Sequence, residues 1–275
     1  MNVLNDQTIV PLAGPVVDTH CHMNIAFDDS HRPPTVEQAL VLARAVGVTK
    51  VIEVGCDVES SRWAADIASK FPDVWATVAL HPNAAAHDTD LMASLEQIAE
   101  LAKLPQVRGL GETGLDYYRT EEAQAAAQHT SFRAHIDIAK AVNKPVIIHD
   151  RDAHEDVIST LTSYGAPDTV VFHCFSGDAQ MAKICAQNGW YMSFSGVVTF
   201  KNAQSLRDAL QEVPDELLLV ETDSPFLTPV PRRGTPNASI NLAYTVRAIS
   251  ALRGTSEEEI CELLFSNSTR VFGTL

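Results

Sequence analysis

The residues with the plainest chemical meaning lie in Val16-Val17-Asp18-Thr19-His20-Cys21-His22, where an acid and two histidines recur at every second position. On an extended chain, side chains two apart point to the same face, so Asp18, His20 and His22 converge as the strand ends. A His-x-His pair offers two imidazole nitrogens to one divalent ion, and Asp18 can ligate beside them or orient them. Taken alone, the triad could equally be the polar end of a strand entering a loop. Distant parts of the chain decide between these readings. The apolar run 107–112 stops at Glu112, 145–149 at His149, 169–173 at His173 and 217–223 at Asp223. Four histidines and two carboxylates thus stand where apolar strands end. Six donors exceed the three or four that one zinc ion needs, and they suit two ions sharing a carboxylate. Glu112 is the natural bridge, because its strand lies between the first and the fifth and sixth.

The elements that must position these donors alternate along the whole chain. Strands are expected from 16, then at 50–56, 74–80, 107–112, 145–149, 169–173, 190–194 and 217–223. Helices are expected at 36–46, capped by Thr35, and at 60–70, 91–103, 121–142, 153–163, 179–187, 206–212, 240–252 and 256–266. The strands read as short apolar runs, as they do when a parallel sheet is covered on both faces. Eight strand–helix units without a linker predict an α/β fold, a single (β/α)8 TIM barrel over residues 1–275 with 1–15 as an N-terminal extension. A doubly wound open sheet is the competing arrangement, but no GxGxxG follows the first strand. In a barrel the functional site lies at the C-terminal ends of the strands, where the six donors fall.

Composition narrows the function. Twenty basic against 35 acidic residues give a net charge of −15, so a broad basic surface for nucleic acid is not expected and any phosphate must be gripped locally. Five cysteines without a CxxC pair argue against a disulfide framework and fit a reducing compartment. Residues 1–13 carry no basic residue to begin a signal peptide, and no apolar run reaches the ~18 residues of a membrane span. A cytoplasmic location is the expectation. Cys21 and Cys174 flank candidate donors, yet alternation turns them away, as small packing residues.

Candidates around the donors follow the same logic. His81, ending the third strand in Leu80-His81-Pro82, could contact a phosphate or leaving group. Arg151, two residues after His149, shares its face and offers a bidentate phosphate grip. Asp116, Tyr117 and Tyr118 could line the mouth, and Arg232-Arg233 could steer phosphates from a loop. His31, His87, His129 and His154 read as surface residues.

The motifs VDTHCH, GLGETGLDYY, KPVIIHDR, FHCFSG and LVETDSPFL, in this order and spacing, resemble the TatD family of metal-dependent deoxyribonucleases, within the amidohydrolase-like barrels. The resemblance covers nearly the whole chain. It implies that His20, His22, Glu112 and Asp223 hold one metal and that Glu112, His149 and His173 hold the other. Glu112 stands where carbamyl-lysine relatives have lysine. The chain departs from the pattern at His135, near a usual glutamine of the long helix, and in Thr235-Pro236-Asn237-Ala238-Ser239. The expected activity is hydrolysis of DNA phosphodiesters, exonuclease-like. Two divalent ions (zinc, manganese or magnesium) would activate a water between them, with Asp223 as proton acceptor. The expected partner is a DNA or oligonucleotide substrate bound locally, with no membrane and no obligate protein. An esterase, lactonase, phosphotriesterase or aminoacyl-tRNA deacylase on the same barrel is the runner-up. A metal-stabilised interaction protein without turnover is the third reading.

Overall fold

Apolar β-branched runs such as Val-Ile-Glu-Val and Val-Val-Phe favour the extended chain, and eight such runs make one parallel sheet. The computed structural model describes residues 9–120 and 122–273. Its strands are β1 (Val16–Cys21), β2 (Val48–Val54), β3 (Val74–Val78), β4 (Val107–Asp116), β5 (Val146–Arg151), β6 (Val170–Phe172), β7 (Tyr191–Phe194) and β8 (Leu218–Val220). They neighbour one another in chain order. The ring closes between β8 and β1: the Asp223 amide donates to the His20 carbonyl (2.9 Å) and the His22 amide to the Ser224 carbonyl (2.8 Å). The architecture is the (β/α)8 barrel that the alternating pattern predicts.

Outside the sheet lie α1 (Val36–Arg44), α2 (Val58–Lys70), α3 (Pro82–His87), α4 (Leu91–Ala102), α5 (Glu122–Val142), α6 (His154–Thr160), α7 (Ala179–Gln187), α8 (Gln204–Glu212), α9 (Leu242–Arg253) and α10 (Glu257–Phe272). Thr35 and Ser256 close capping boxes at the starts of α1 and α10. Val17, Ile52, Leu110, Ile147, Phe172 and Leu219 are buried between the sheet and its surroundings.

Four differences from the sequence-based expectations matter. β4 continues four residues past Glu112, because Thr113, Gly114, Leu115 and Asp116 pair with Ile148, His149, Asp150 and Arg151 of β5. Gly114 makes that pairing possible: it adopts φ 140°, and a Cβ there would lie 2.1 Å from the His149 carbonyl oxygen. The short helix α3 was not expected. Pro82 pre-sets its first turn and His81 caps it. The helix expected to end at 163 changes to a π turn, Leu161–Gly165. Of the N-terminal extension 1–15, residues 1–8 lie outside the described residues, as does 121 of the fifth helix. Ile9 and Leu12 are buried, and Arg247 donates to the carbonyls of Val10 and Pro11 at 2.8 and 3.0 Å.

Candidate metal centre

Each donor is carried to one end of the barrel by its strand. His20 lies in β1 and His22 follows it; Glu112 sits within β4 and His149 within β5; His173 follows β6 and Asp223 follows β8. Asp223 turns inward at φ 54°, in the left-handed region that Asp tolerates better than most residues. All six come together.

Glu112 divides the cluster. Its Oε1 lies 3.7 Å from both His20 Nε2 and His22 Nε2. Its Oε2 lies 3.0 Å from His149 Nδ1 and 2.7 Å from His173 Nε2. On the first side, the two imidazole Nε2 atoms stand 3.3 Å apart, and Asp223 Oδ1 is 3.9 and 3.6 Å from them. A tetrahedral ion with bonds of 2.0–2.1 Å spaces its ligands about 3.4 Å apart. The first set matches that spacing, whereas the 3.0 and 2.7 Å of the second are hydrogen-bond distances.

In three of the four histidines the remaining ring nitrogen fixes which atom faces the cluster, while His20 Nδ1 is buried with no partner. His22 Nδ1 meets the Val54 carbonyl (3.1 Å), His149 Nε2 meets Asp116 Oδ2 (3.2 Å) and His173 Nδ1 meets Glu221 Oε1 (3.1 Å). These are the outer contacts through which proteins orient metal-binding histidines. His149 and His173 each have a carboxylate on both sides. Without a metal each needs two protons, one for each carboxylate; with one, the cation takes the place of the inner proton. Burial pushes both imidazoles towards neutrality. Hydrogen bonds that His149 donates to Asp116 and Glu112 outweigh it there, and the charges of Glu112 and Glu221 outweigh it at His173, so both rise above the ordinary value. Glu112 itself is driven upward by burial, but His173 and His81 hold it well below the carboxylate range. Among the described residues, no lysine or arginine pairs with Glu112, Asp116, Glu221 or Asp223. Buried acids in that number call for cations. The donors form groups that could hold divalent metal.

Two residues behave otherwise than the sequence alone implied. Asp18 does not join the cluster. Its oxygens accept from the Thr222 amide (2.8 Å) and hydroxyl (2.6 Å) at the closing seam, because β8 passes directly beside it. Burial, only partly opposed by these bonds, raises its carboxyl to about 6. His135 faces away from the cluster, donating to the Ser131 carbonyl (2.7 Å) while its Nε2 accepts from the Leu80 amide (3.1 Å). It holds the end of β3 just before His81. From the same helix Gln128 accepts from the Asp116 amide at 3.0 Å and so supports the end of β4.

His81 stands beside His149, ring centroids 4.4 Å apart. Its Nδ1 accepts from the Asn83 amide (3.0 Å), and burial lowers it to about 4. The ring is therefore neutral at pH 7 with its proton on Nε2. Arg151, from the end of β5, lies 4.0 Å over the exposed Tyr118 ring. Arg233 stacks on Phe200 at 3.8 Å. His31, His87, His129 and His154 lie outside the cluster, bonded to Asp28, Asn83, Tyr117 and Asp150.

Sequence reasoning missed Asp116 and Glu221 as orienting carboxylates. It also missed Cys56, whose Sγ lies 3.5 Å from Glu112 Oε1. Burial pushes that thiol up to about 11, so it is a neutral donor to the carboxylate.

Residues 17–273 match the family model described as TatD related DNase. The metal-dependent hydrolase TatD of Mycobacterium tuberculosis is 42% identical over 262 residues, covering 94% of this chain and 98% of that protein. The metal-dependent hydrolase YabD of Bacillus subtilis is 36% identical, covering 93% and 98%. The crystal structure of YjjV, a TatD homologue from Escherichia coli, superposes with a TM-score of 0.85 at 29% identity, covering 94% of this chain and 97% of that one. With a paired donor set at the C-terminal ends of a (β/α)8 barrel and these relatives spanning nearly its whole length, the chain belongs to the TatD family of metal-dependent hydrolases.

Proposed function

We propose that this protein hydrolyses phosphodiester bonds at the ends of DNA or oligonucleotide strands. His20, His22, Glu112 and Asp223 would hold one divalent ion and Glu112, His149 and His173 the other. The observation that carries this reading is the division of Glu112, one carboxylate oxygen facing each donor set. Two ions bound there would lower the pKa of water towards ~7 and neutralise charge on phosphorus oxygens. The mixed nitrogen and oxygen donors suit zinc, and manganese or magnesium at lower affinity.

The chain's own groups complete the chemistry. The side chain of Asp223, at 16% exposure, is the most open of the first donor set, and its carboxylate is placed to accept the proton of the attacking water. His81, neutral with Nε2–H free to donate, would hold a phosphate oxygen or the leaving oxygen. Arg151, kept planar against Tyr118, would grip a non-bridging pair of phosphate oxygens. Tyr118 and Phe226 are 64% and 41% exposed. Such rings stack on unpaired bases, which favours a single-stranded end over intact duplex. With a net charge of −15 the grip is local. Its five cysteines are all free, which supports a cytoplasmic, reducing location. No helix among the described residues is long and apolar enough to cross a membrane.

The test is an assay of metal-loaded protein on labelled single-stranded and duplex oligonucleotides, beside panels of carboxylic esters, lactones and phosphotriesters. Stepwise shortening of single strands is expected. Turnover confined to esters, lactones or phosphotriesters would replace this reading with the runner-up, and no turnover on any panel with the third.

A further inference from the structure

At the barrel end opposite the metal centre lies an open cavity of about 560 Å3 between the starts of β4, β5 and β6 and the last turn of α10. Arg108, Lys140, Lys144 and Arg270 line it, with Asp168 as its one acid among the described residues. That balance runs against a chain with 35 acidic and 20 basic residues.

The four cations meet neutral groups. Lys144 Nζ donates to the carbonyls of Ala102 (2.5 Å) and Leu104 (2.9 Å). Arg270 donates to the Glu216 carbonyl and to Asn267 Oδ1, each at 3.2 Å. Lys140 Nζ lies 5.5 Å from the Tyr164 ring and the Arg108 guanidinium 5.1 Å from the Trp75 ring. Arg108 Nε is buried with no partner. None of the four forms an ion pair among the described residues. The carbonyl end of α10 supplies roughly half a negative charge, too little to balance them. Burial lowers Lys144, and the charge of Arg108 lowers it further.

We propose that this cavity binds a small phosphate-bearing polyanion, gripped chiefly by Arg108 and Lys140. The volume lies within the 300–1,000 Å3 of small-molecule sites. A phosphate group matches the planar donors of Arg108 and needs no proton from the site. The site is separate from the metal centre, since Arg108 precedes Glu112 by four residues of strand, roughly 13 Å. It does not depend on the nuclease reading.

The experiment is calorimetric titration of the full-length, metal-loaded protein with inorganic pyrophosphate and, separately, with deoxyadenosine 5′-monophosphate. Arg108→Gln, Lys140→Glu and Asp223→Asn are titrated alongside. Lys140 is exposed on α5, so its substitution leaves packing intact even if Arg108→Gln disturbs Trp75. Beyond any probe held at the metal centre, one saturable equivalent is expected in the wild type and retained in Asp223→Asn, and it is weakened at least ~10-fold in each cavity variant, the loss of one charge-assisted contact. Tighter binding of the nucleotide than of pyrophosphate identifies a nucleotide ligand; the reverse identifies the phosphate groups alone. The proposal is overturned if neither probe saturates, if Lys140→Glu binds as the wild type does, or if binding disappears in Asp223→Asn and persists in the cavity variants.

Discussion

Replacing Asp116 by asparagine tests whether an outer carboxylate sets the metal-binding face of His149. Asp116 Oδ2 stands 3.2 Å from His149 Nε2, while Oδ1 accepts the Tyr118 and Arg119 amides at 3.0 and 2.9 Å. In Asp116→Asn the amide oxygen keeps the two backbone donors, so the NH2 group turns towards Nε2. Two donors then face each other unless the imidazole moves its proton to Nδ1, the atom facing Glu112. A protonated Nδ1 cannot ligate. Outer-contact losses of this kind weaken metal affinity about 10- to 100-fold, or ~1.4–2.7 kcal/mol. Competition against a chromophoric chelator measures this directly, with circular dichroism to verify the fold. Affinity at the His149–His173 side should weaken by that factor while that at the His20–His22 side changes little. Unchanged affinity at both sites would refute the orienting role, as would equal loss at both.

Three further outcomes are expected. His135 sits buried with its value lowered by burial from 6.5 to about 4. Because the folded value lies below the unfolded one, its contribution is full above pH ~6.5 and fades as pH falls through 4, worth up to ~3 kcal/mol. Denaturant titrations of wild type and His135→Gln across pH 4–7 should converge towards acid; parallel curves would contradict this. Arg151→Ala should raise KM for oligonucleotides about tenfold and alter kcat less, in steady-state kinetics, since it removes one charge-assisted grip. An unaltered KM would place Arg151 outside the substrate path. Finally, log K against log[salt] for single strands should have a slope of only about −0.7 to −2, one to three phosphate contacts; a slope steeper than about −4 would reveal a basic tract.

What the sequence made legible follows from how visible each role is locally. His20, His22, His149 and His173 stand out because polar residues close apolar strands, and their strand order alone predicts that they meet. Asp18 shows the limit of that rule. Alternation put it on the histidines' face, yet the neighbouring Thr222 captures it, and only the closing seam of the barrel reveals this. Asp116 and Glu221 were unreadable as orienting groups because their roles depend on register. Asp116 reaches His149 only since β4 extends past Glu112, which in turn requires the absent Cβ of Gly114. Cys56 lies 56 residues from Glu112 in sequence, and no local pattern joins them. α3 is a six-residue turn, too short to carry a helical period.

The central claim is that Glu112 joins two ions in one hydrolytic centre. Its most direct test is the metal content per chain, by elemental analysis after equilibrium dialysis, measured with oligonucleotide turnover in wild type and Glu112→Gln. Two equivalents are expected in the wild type, and in the variant at most one together with loss of turnover at an unchanged fold. Two equivalents retained in Glu112→Gln with near-normal turnover would contradict it.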